Sequence, residues 1–145
     1  MSARNLTGKQ FLSLAEFRYQ VRRFLRFSEQ ECRARGLQPQ QYQLVVALLG
    51  LPPENTPTVG TLAERLQLEH HSMVELLDRA SEQGLVTRKR DTHDRRRVAI
   101  HLTAKGEKLA RGLAARHVEE LQSSGRKLVA ALQPLLRSNL VRLRA

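Results

Sequence analysis

The sequence predicts a mainly helical protein with one small β-hairpin. Apolar residues recur at helical spacing over most of the 145 residues. Two short β-prone runs alternate instead between apolar and polar residues, and they lie between Leu85 and Leu102. Glycine and proline residues separate these segments. The predicted fold class is therefore a set of helices with a single hairpin inserted between them.

Two helices are predicted in the first third of the chain. The first covers about residues 7 to 35 and ends at Gly36. Its apolar stripe consists of Leu14, Phe17, Val21, Phe24 and Leu25. Pro39 suits the first turn of a second helix. Because the body of that second helix is apolar on most sides, we expect it to be buried.

A proline-rich loop then leads to two short helices, which are joined by a tight turn at residues 67–69. Thr58 is a suitable N-cap for the first, and Gly84 a suitable C-cap for the second. The residues expected to face inward are Leu62, Ala63 and Leu66 on the first, and Met73, Leu76, Leu77 and Ala80 on the second. The outward residues of the second helix are then His70, His71, Ser72, Val74, Glu75, Asp78 and Arg79.

The hairpin that follows is the most informative segment of the chain. Its first strand is predicted from Leu85 to about Arg90. The second strand is expected to point Val98, Ile100 and Leu102 inward, and Ala99 and His101 outward. Around the tip, a ten-residue window holds six basic residues: Arg88, Lys89, Arg90, Arg95, Arg96 and Arg97. Such a finger can follow a phosphate backbone and place a guanidinium in a DNA minor groove.

The last third of the chain is predicted to be helical again. Thr103 caps a long helix that runs to about Ala131, with Leu109, Leu113, Leu121, Leu128 and Leu132 along one side. Pro134 is expected to start a separate short helix containing Leu140 and Leu143. The terminal helices are too amphipathic to stand alone in water. A second copy of the chain would cover their apolar stripes, which predicts a homodimer.

Composition narrows the functional classes. The 25 Lys and Arg residues exceed the 14 Asp and Glu residues, and the net charge of +11 favours a polyanionic partner. Aromatic residues make up only 4%, which argues against base stacking on single strands. A single cysteine, no apolar run of about 18 residues and no secretory leader predict a cytoplasmic protein without membrane contact. No supported catalytic motif is present, so we do not expect an enzyme.

Two helices, a tight turn and a basic hairpin follow one another in the order of a winged helix-turn-helix. The sequence resembles the multiple-antibiotic-resistance regulator (MarR) family, most strongly from Val59 to Gly106. The matching motifs are TVGTLAERLQL, LLDRASEQGLVTRKR and DTHDRRRVAIHLTAKG. The resemblance implies a DNA-binding core at residues 37–120. It also implies a dimerisation region formed by residues 1–36 and 121–145.

The resemblance also implies a set of DNA-binding residues. Asp94 and Arg96 match the family's wing pair, in which the carboxylate steadies an arginine that enters the minor groove. The other wing residues predicted to bind DNA are Arg88, Arg90, Arg95 and Arg97. The recognition helix is expected to read the major groove through His70, His71, Ser72, Val74 and Glu75. Glu75 departs from the basic residue usual in the family; it either accepts a hydrogen bond from cytosine N4 or points away from the bases.

No metal or other cofactor is expected. His70 and His71 are adjacent and do not share a helix face, and His117 has no His, Cys, Asp or Glu four residues away. Cys32 lies beside Arg33 and Arg35, a setting that favours a thiolate. A lone cysteine is nevertheless more often a packing residue, and we interpret Cys32 in that way rather than as a redox switch.

The sequence thus predicts a dimeric, sequence-specific DNA-binding transcriptional regulator. The resemblance implies transcriptional repression, or less often activation, from a pseudo-palindromic operator, relieved by a small ligand or by oxidation. The main alternative is a basic architectural or RNA-associated protein without a regulatory ligand, and a weaker one is a membrane-surface protein that uses the basic first helix. Selectivity for a palindrome distinguishes the regulator from the main alternative, because an architectural protein binds cognate and unrelated DNA about equally.

Overall fold

The computed structural model describes the chain from residue 5 to residue 143, and all side chains in that range up to residue 137. The described part contains five helices and one two-stranded antiparallel sheet. In chain order the elements are α1 (Gly8–Ala34), α2 (Pro39–Leu49), α3 (Val59–Leu66), α4 (His70–Glu82), β1 (Val86–Arg90), β2 (Val98–Leu102) and α5 (Ala104–Leu143). The predicted fold class, mainly helical with one hairpin, is confirmed.

The chain divides into two compact units. The terminal unit comprises Met1–Gln30 and Arg116–Ala145, and the central unit comprises Glu31–Ala115. Both α1 and α5 therefore contribute residues to each unit. The central unit starts and ends a few residues before the core expected from the sequence, residues 37–120. The functions assigned to the two regions stay predictions.

The central unit has a continuous hydrophobic core. The short helices α3 and α4 turn the predicted faces inward: Leu62, Ala63, Met73, Leu76, Leu77 and Ala80 are all buried. They pack in one cluster with side chains from α2, both strands and the start of α5, including Leu44, Val45, Val86, Ile100 and Leu113. Cys32 belongs to the same cluster and is fully buried. Apolar burial of this extent is what stabilises such short helices.

Three predicted helix ends, at Thr58, Gly84 and Thr103, are confirmed in detail. The Thr58 hydroxyl accepts a hydrogen bond from the Thr61 N–H at 3.2 Å, which caps α3. The Thr103 hydroxyl accepts one from the Gly106 N–H at 3.0 Å, which caps α5. Gly84 follows α4 with φ of +72°, a left-handed conformation that favours glycine at the end of a helix.

The inward and outward residues of the second strand differ in part from the prediction. Ile100 is buried and His101 exposed, as expected. Val98, however, is 41% exposed and Ala99 only 5%, so their predicted orientations are wrong. Simple alternation assumes that only one face of the strand is covered. Here the Ile100 N–H donates to the Pro57 carbonyl at 2.8 Å, so the loop before α3 lies along β2, whereas Val98 lies nearer the exposed tip.

The prediction that a separate helix starts at Pro134 is also wrong. Pro134 lies inside α5, which continues without a break to Leu143. An interior proline removes one hydrogen-bond donor and costs about 3 kcal/mol relative to alanine. The flanking segments contain several leucines and alanines, which have high helix propensity and favour continuation of the helix. The side chains of Leu140 and Leu143, which the sequence assigned to the last helix, lie outside the described residues.

The terminal unit buries few side chains. His117 is one of them, and its Nε2 lies 2.8 Å from the Ser28 hydroxyl oxygen. The rings of Phe24 and Phe27 meet the imidazole edge-on, with centroid distances of 5.8 and 5.6 Å. Within the described part of the chain, no group of His, Cys, Asp or Glu residues is arranged to hold a metal ion. No helix in that part is both long and apolar enough to cross a membrane.

Candidate nucleic-acid interface

The turn between α3 and α4 forms through a left-handed residue. Gln67 has φ of 53°, and its side-chain Nε2 donates to the Glu64 carbonyl at 2.8 Å. The next N–H, that of Leu68, donates back to the Ala63 carbonyl at 2.9 Å. These hydrogen bonds end α3 at Leu66 and allow α4 to begin at His70. The two helices thus form the helix-turn-helix that the sequence predicted.

The face of α4 away from the core carries the predicted base-reading residues. His70, His71 and Glu75 are exposed, whereas Ser72 and Val74 are half-buried. His71 and Glu75 lie one helical turn apart on the same side of the helix. The buried leucines and methionine of α4 fix this face toward solvent. Glu75 therefore points away from the core and stands among the residues available to a partner.

The tip of the hairpin is organised around Asp94. Its Oδ1 accepts hydrogen bonds from the backbone N–H of Arg96 at 3.0 Å and from the Arg96 Nε at 3.2 Å. Arg97 Nε lies 3.7 Å from the other carboxylate oxygen. The hydrogen bonds from Arg96, backbone first and side chain second, lower the pKa of Asp94. The Arg96 side chain is 92% exposed, so the carboxylate orients a guanidinium that otherwise extends into solvent.

Asp91 has a second organising role that the sequence analysis missed. Its N–H donates to the Arg97 carbonyl at 2.9 Å, and its carboxylate accepts from the His93 N–H at 3.1 Å. Across the tip, Arg90 Nη1 donates to the Arg95 carbonyl at 3.2 Å. An aspartate that accepts from the N–H two residues later forms an Asx turn. The same three-residue pattern, an aspartate two residues before the donor, occurs at residues 91–93 and 94–96. This repeat in the sequence could have predicted both turns.

The base of the hairpin is fastened to the end of α4 through the Thr-x-x-Gly motif. The Thr103 N–H donates to the Leu85 carbonyl at 3.0 Å, and its hydroxyl contacts the carbonyls of Gly84 and Leu85. A Cβ at Gly106 would collide with the Leu85 carbonyl oxygen. Only glycine therefore allows α5 to approach the hairpin this closely. The Thr-x-x-Gly motif is visible in the sequence, but only the packing explains why a glycine is required at its last position.

Arg88 differs from the other predicted wing residues. Its Nη2 donates to the Asp78 Oδ1 at 2.6 Å, which links β1 to α4. Arg95, Arg96 and Arg97 are all exposed at the tip. The structure therefore brings together an exposed helix face and a cationic hairpin tip, and both belong to the central unit. Such a module can offer a helix to a major groove and a guanidinium to a minor groove.

The fold and this arrangement define a winged helix-turn-helix protein, in which the hairpin of residues 86–102 is the wing. A sequence profile of the MarR family matches residues 35–97. The organic hydroperoxide resistance transcriptional regulator of Bacillus subtilis (strain 168) is 33% identical over 108 residues, which cover 68% of this chain and 74% of that protein. The chain therefore belongs to the MarR family, as the resemblance had indicated.

Solved structures show the same fold. AbsC, a MarR family transcriptional regulator from Streptomyces coelicolor, is 21% identical, with a TM-score of 0.73 over 96% of this chain and 97% of that chain. The MepR–DNA complex of Staphylococcus aureus is 23% identical, with a TM-score of 0.59 over 84% of this chain and 96% of that chain. At these identities the likeness concerns the fold, and the DNA contacts of the present chain stay predictions.

Proposed function

We propose that this chain is a cytoplasmic, homodimeric, DNA-binding transcriptional regulator that represses its target genes and is controlled by a small molecule. The single observation that carries the proposal is the pairing of an exposed α4 face with a wing tip whose Arg96 is held by Asp94. In the proposed complex, α4 enters the major groove and Arg96 enters the adjacent minor groove. Membership of a family of transcriptional regulators supports the same function.

The proposed DNA-binding residues form two groups with different tasks. His70, His71, Ser72, Val74 and Glu75 belong to the base-reading face, and Arg90, Arg95, Arg96 and Arg97 belong to the wing. Contacts to base edges give specificity, whereas guanidinium contacts in the minor groove are electrostatic and depend on groove shape. Substitutions in the two groups should therefore change different measured quantities.

The proposed dimer is supported by the apolar residues of the terminal unit. Phe11, Leu12, Leu14, Tyr19, Leu25, Val118, Leu121, Val129 and Leu136 are all substantially exposed. So many exposed large apolar side chains in one unit favour a partner that covers them. A second copy of the same helices would cover this surface with two-fold symmetry and present two copies of α4. Two half-sites would then lie about one helical turn apart, ~10 bp centre to centre.

Control by a bound small molecule is proposed in preference to thiol oxidation. The B. subtilis relative is named for organic hydroperoxide resistance, which makes oxidation the natural competitor. In this chain, however, Cys32 is fully buried in the central core, and buried thiols are poorly reactive. We expect N-ethylmaleimide to modify Cys32 only after unfolding, and cumene hydroperoxide not to release DNA. Release by the hydroperoxide that is lost in Cys32→Ser would contradict this choice.

The proposal is tested by DNA binding of two variants. A duplex is first selected from a random pool by the wild-type protein, and affinities are then measured by fluorescence anisotropy for this duplex and for a scrambled one. Arg96→Ala should weaken binding to both duplexes and make the salt dependence shallower. His71→Ala should mainly reduce the preference for the selected duplex, by about 1–3 kcal/mol for a direct contact.

Four results would contradict the proposal. If the wild-type protein binds the selected and the scrambled duplex equally well, the architectural alternative replaces the regulator, and if it binds neither, DNA binding itself is contradicted. If Arg96→Ala leaves both affinities unchanged, the wing is not part of the interface. A footprint with one asymmetric half-site per dimer would contradict the symmetric arrangement.

A further inference from the structure

The ion pair between Asp78 and Arg88 joins the recognition helix to the wing. The Arg88 Nη2 donates to Asp78 Oδ1 at 2.6 Å, a short distance typical of a charge-assisted hydrogen bond. Asp78 lies near the middle of α4, and Arg88 is the central residue of β1. Arg88 also pairs across the sheet with Ile100, which is buried. Arg88 itself is exposed, so its guanidinium extends from the sheet toward α4.

Asp78 stands on the same side of α4 as the proposed base-reading residues. It follows Val74 by four residues and His71 by seven, so the three side chains lie above one another along the helix. An unpaired carboxylate at this position would repel the phosphates of a DNA ligand. Paired with Arg88, the carboxylate is neutralised, and it holds the guanidinium toward the helix instead of toward solvent.

The wing gains from such a link because β1 is exposed from Thr87 to Arg90, and a two-stranded ribbon has little stability of its own. Its tip is held internally by Asp91 and Asp94, and its base by Thr103. The Asp78–Arg88 pair lies between these two attachments and fixes the middle of β1 to α4. Simultaneous entry into a major and a minor groove requires a defined separation of α4 and the wing.

We infer that Asp78 is a positioning residue for DNA binding: through its ion pair with Arg88 it fixes the wing relative to the recognition helix, and Arg88 serves this contact rather than a phosphate. The inference rests on the proposed DNA-binding function. It gives Arg88 a role different from that of Arg95, Arg96 and Arg97. It also explains why an acidic residue occupies a surface that faces a polyanion.

The test is a double variant in which charge is conserved. Asp78→Asn with Arg88→Gln removes the ion pair and leaves the net charge at +11. We expect roughly two- to fivefold weaker binding to the selected duplex, the range typical of an exposed ion pair, with an unchanged salt slope. If Arg88 instead contacts a phosphate, the slope should become shallower by about 0.9 per protomer, or about 1.8 for the proposed dimer. Unchanged affinity, or a shallower slope, would overturn the inference.

The matched control is Arg79→Gln with Glu82→Gln. These residues are exposed on α4, and the double substitution also conserves charge without touching β1. We expect wild-type affinity and slope from it. Arg88→Lys, which keeps a cation opposite Asp78, should retain most of the affinity. Equal losses in the control and in the test variant would show a general effect of α4 and not a role for the pair.

A second measurement does not depend on DNA. Spin labels at Glu64→Cys on α3 and His93→Cys at the tip, in a Cys32→Ser background, report the separation of the helix-turn-helix from the wing. Both labelled positions are exposed. Loss of the pair should broaden the distance distribution, and an identical distribution would overturn the positioning role. Failure of the wild-type protein to bind any duplex would instead contradict the proposed function, so the two failures are distinguishable.

Discussion

The central and terminal units bury their apolar side chains very differently. Among the described residues, every buried hydrophobic residue except Ala131 belongs to the central unit. Conversely, every exposed large hydrophobic residue except Leu49 and Val98 belongs to the terminal unit. The central unit thus has a core of its own, whereas the terminal helices display apolar surface along their length.

This difference shows that the two units rely on different sources of stability. In the central unit, apolar burial and backbone caps are already complete within one chain. The terminal helices carry apolar residues at regular spacing that the described chain leaves in contact with water. We therefore expect substitutions in the central unit to change the free energy of unfolding. Substitutions in the terminal unit should change association.

The largest effect is expected from Leu62→Ala in the central unit. Leu62 is fully buried, and a leucine-to-alanine change at such a site costs about 2–5 kcal/mol through lost apolar burial and the cavity that remains. Leu121→Ala in the terminal unit, at a 40% exposed position, should change the free energy of unfolding of the dissociated chain by less than about 0.5 kcal/mol, because its effect falls on association. Urea denaturation of both variants measures the difference. If both variants lost the same free energy of unfolding, the two units would not differ in their source of stability.

The next largest effect is expected from Val129→Asp. Val129 is exposed beside Leu121 and Gly125 in an open apolar groove of α5. If a second copy covers this groove, a buried unpaired carboxylate should weaken the dimer by about 2 kcal/mol or more, roughly thirtyfold. Sedimentation equilibrium measures the dissociation constant. Ser123→Asp, at an exposed polar position of the same helix, is the control. A dimer unaffected by Val129→Asp would have its interface elsewhere.

Alanine substitutions at two glycines of α5 should give smaller changes in stability, with opposite signs. A methyl group at Gly106 would collide with the Leu85 carbonyl, so Gly106→Ala should destabilise the protein by about 1–3 kcal/mol. At Gly125 the nearest atoms to such a methyl group are those of Leu121 at 3.8 Å or more. Gly125→Ala should therefore stabilise the helix by up to about 1 kcal/mol. Thermal unfolding followed by circular dichroism measures the two changes in stability. The prediction requires that they have opposite signs.

The smallest effect is expected at alkaline pH. Burial, and secondarily the nearby Cys32, raises the pKa of Tyr42 above its ordinary value. The neutral phenol is thus favoured in the folded state. Its contribution to stability is present below about pH 10, the unfolded value, and is lost as the pH rises through the folded pKa. Tyr42→Phe should reduce the loss of stability between pH 8 and pH 11, as measured by urea midpoints. Tyr19→Phe, at an exposed position of the terminal unit, is the control.

Most of the central unit was predictable because its signals are local. Helical spacing identified the buried face of α4, and Thr58, Gly84 and Thr103 marked helix ends through their own side chains or conformations. The arginine-rich tip was likewise evident in the sequence as a cluster of basic residues. The sequence did not predict the hydrogen-bond partners of Asp78 and Asp91. A carboxylate on a helix or in a turn does not by itself indicate which donor it will accept from.

The errors arose where the surroundings of a residue, in space or along the chain, overrule a local rule. Alternation put Ala99 outward and Val98 inward, but the loop around Pro57 lies along β2, and Val98 lies nearer the exposed tip. Local propensity ended α5 at Pro134, and the sequence around the proline continued it. In each case, a rule for an isolated strand or helix was overruled by its surroundings.

By itself the sequence determined the order of the helices, the position of the hairpin, the family and the cationic tip, because periodicity, caps and charge are properties of neighbouring residues. Only the tertiary structure decided that Gly106 must be glycine, that Cys32 is buried, and that Arg88 turns back to Asp78. These facts depend on the separation of atoms from elements distant along the chain. Packing fixes that separation, and the linear pattern does not encode it in any single segment.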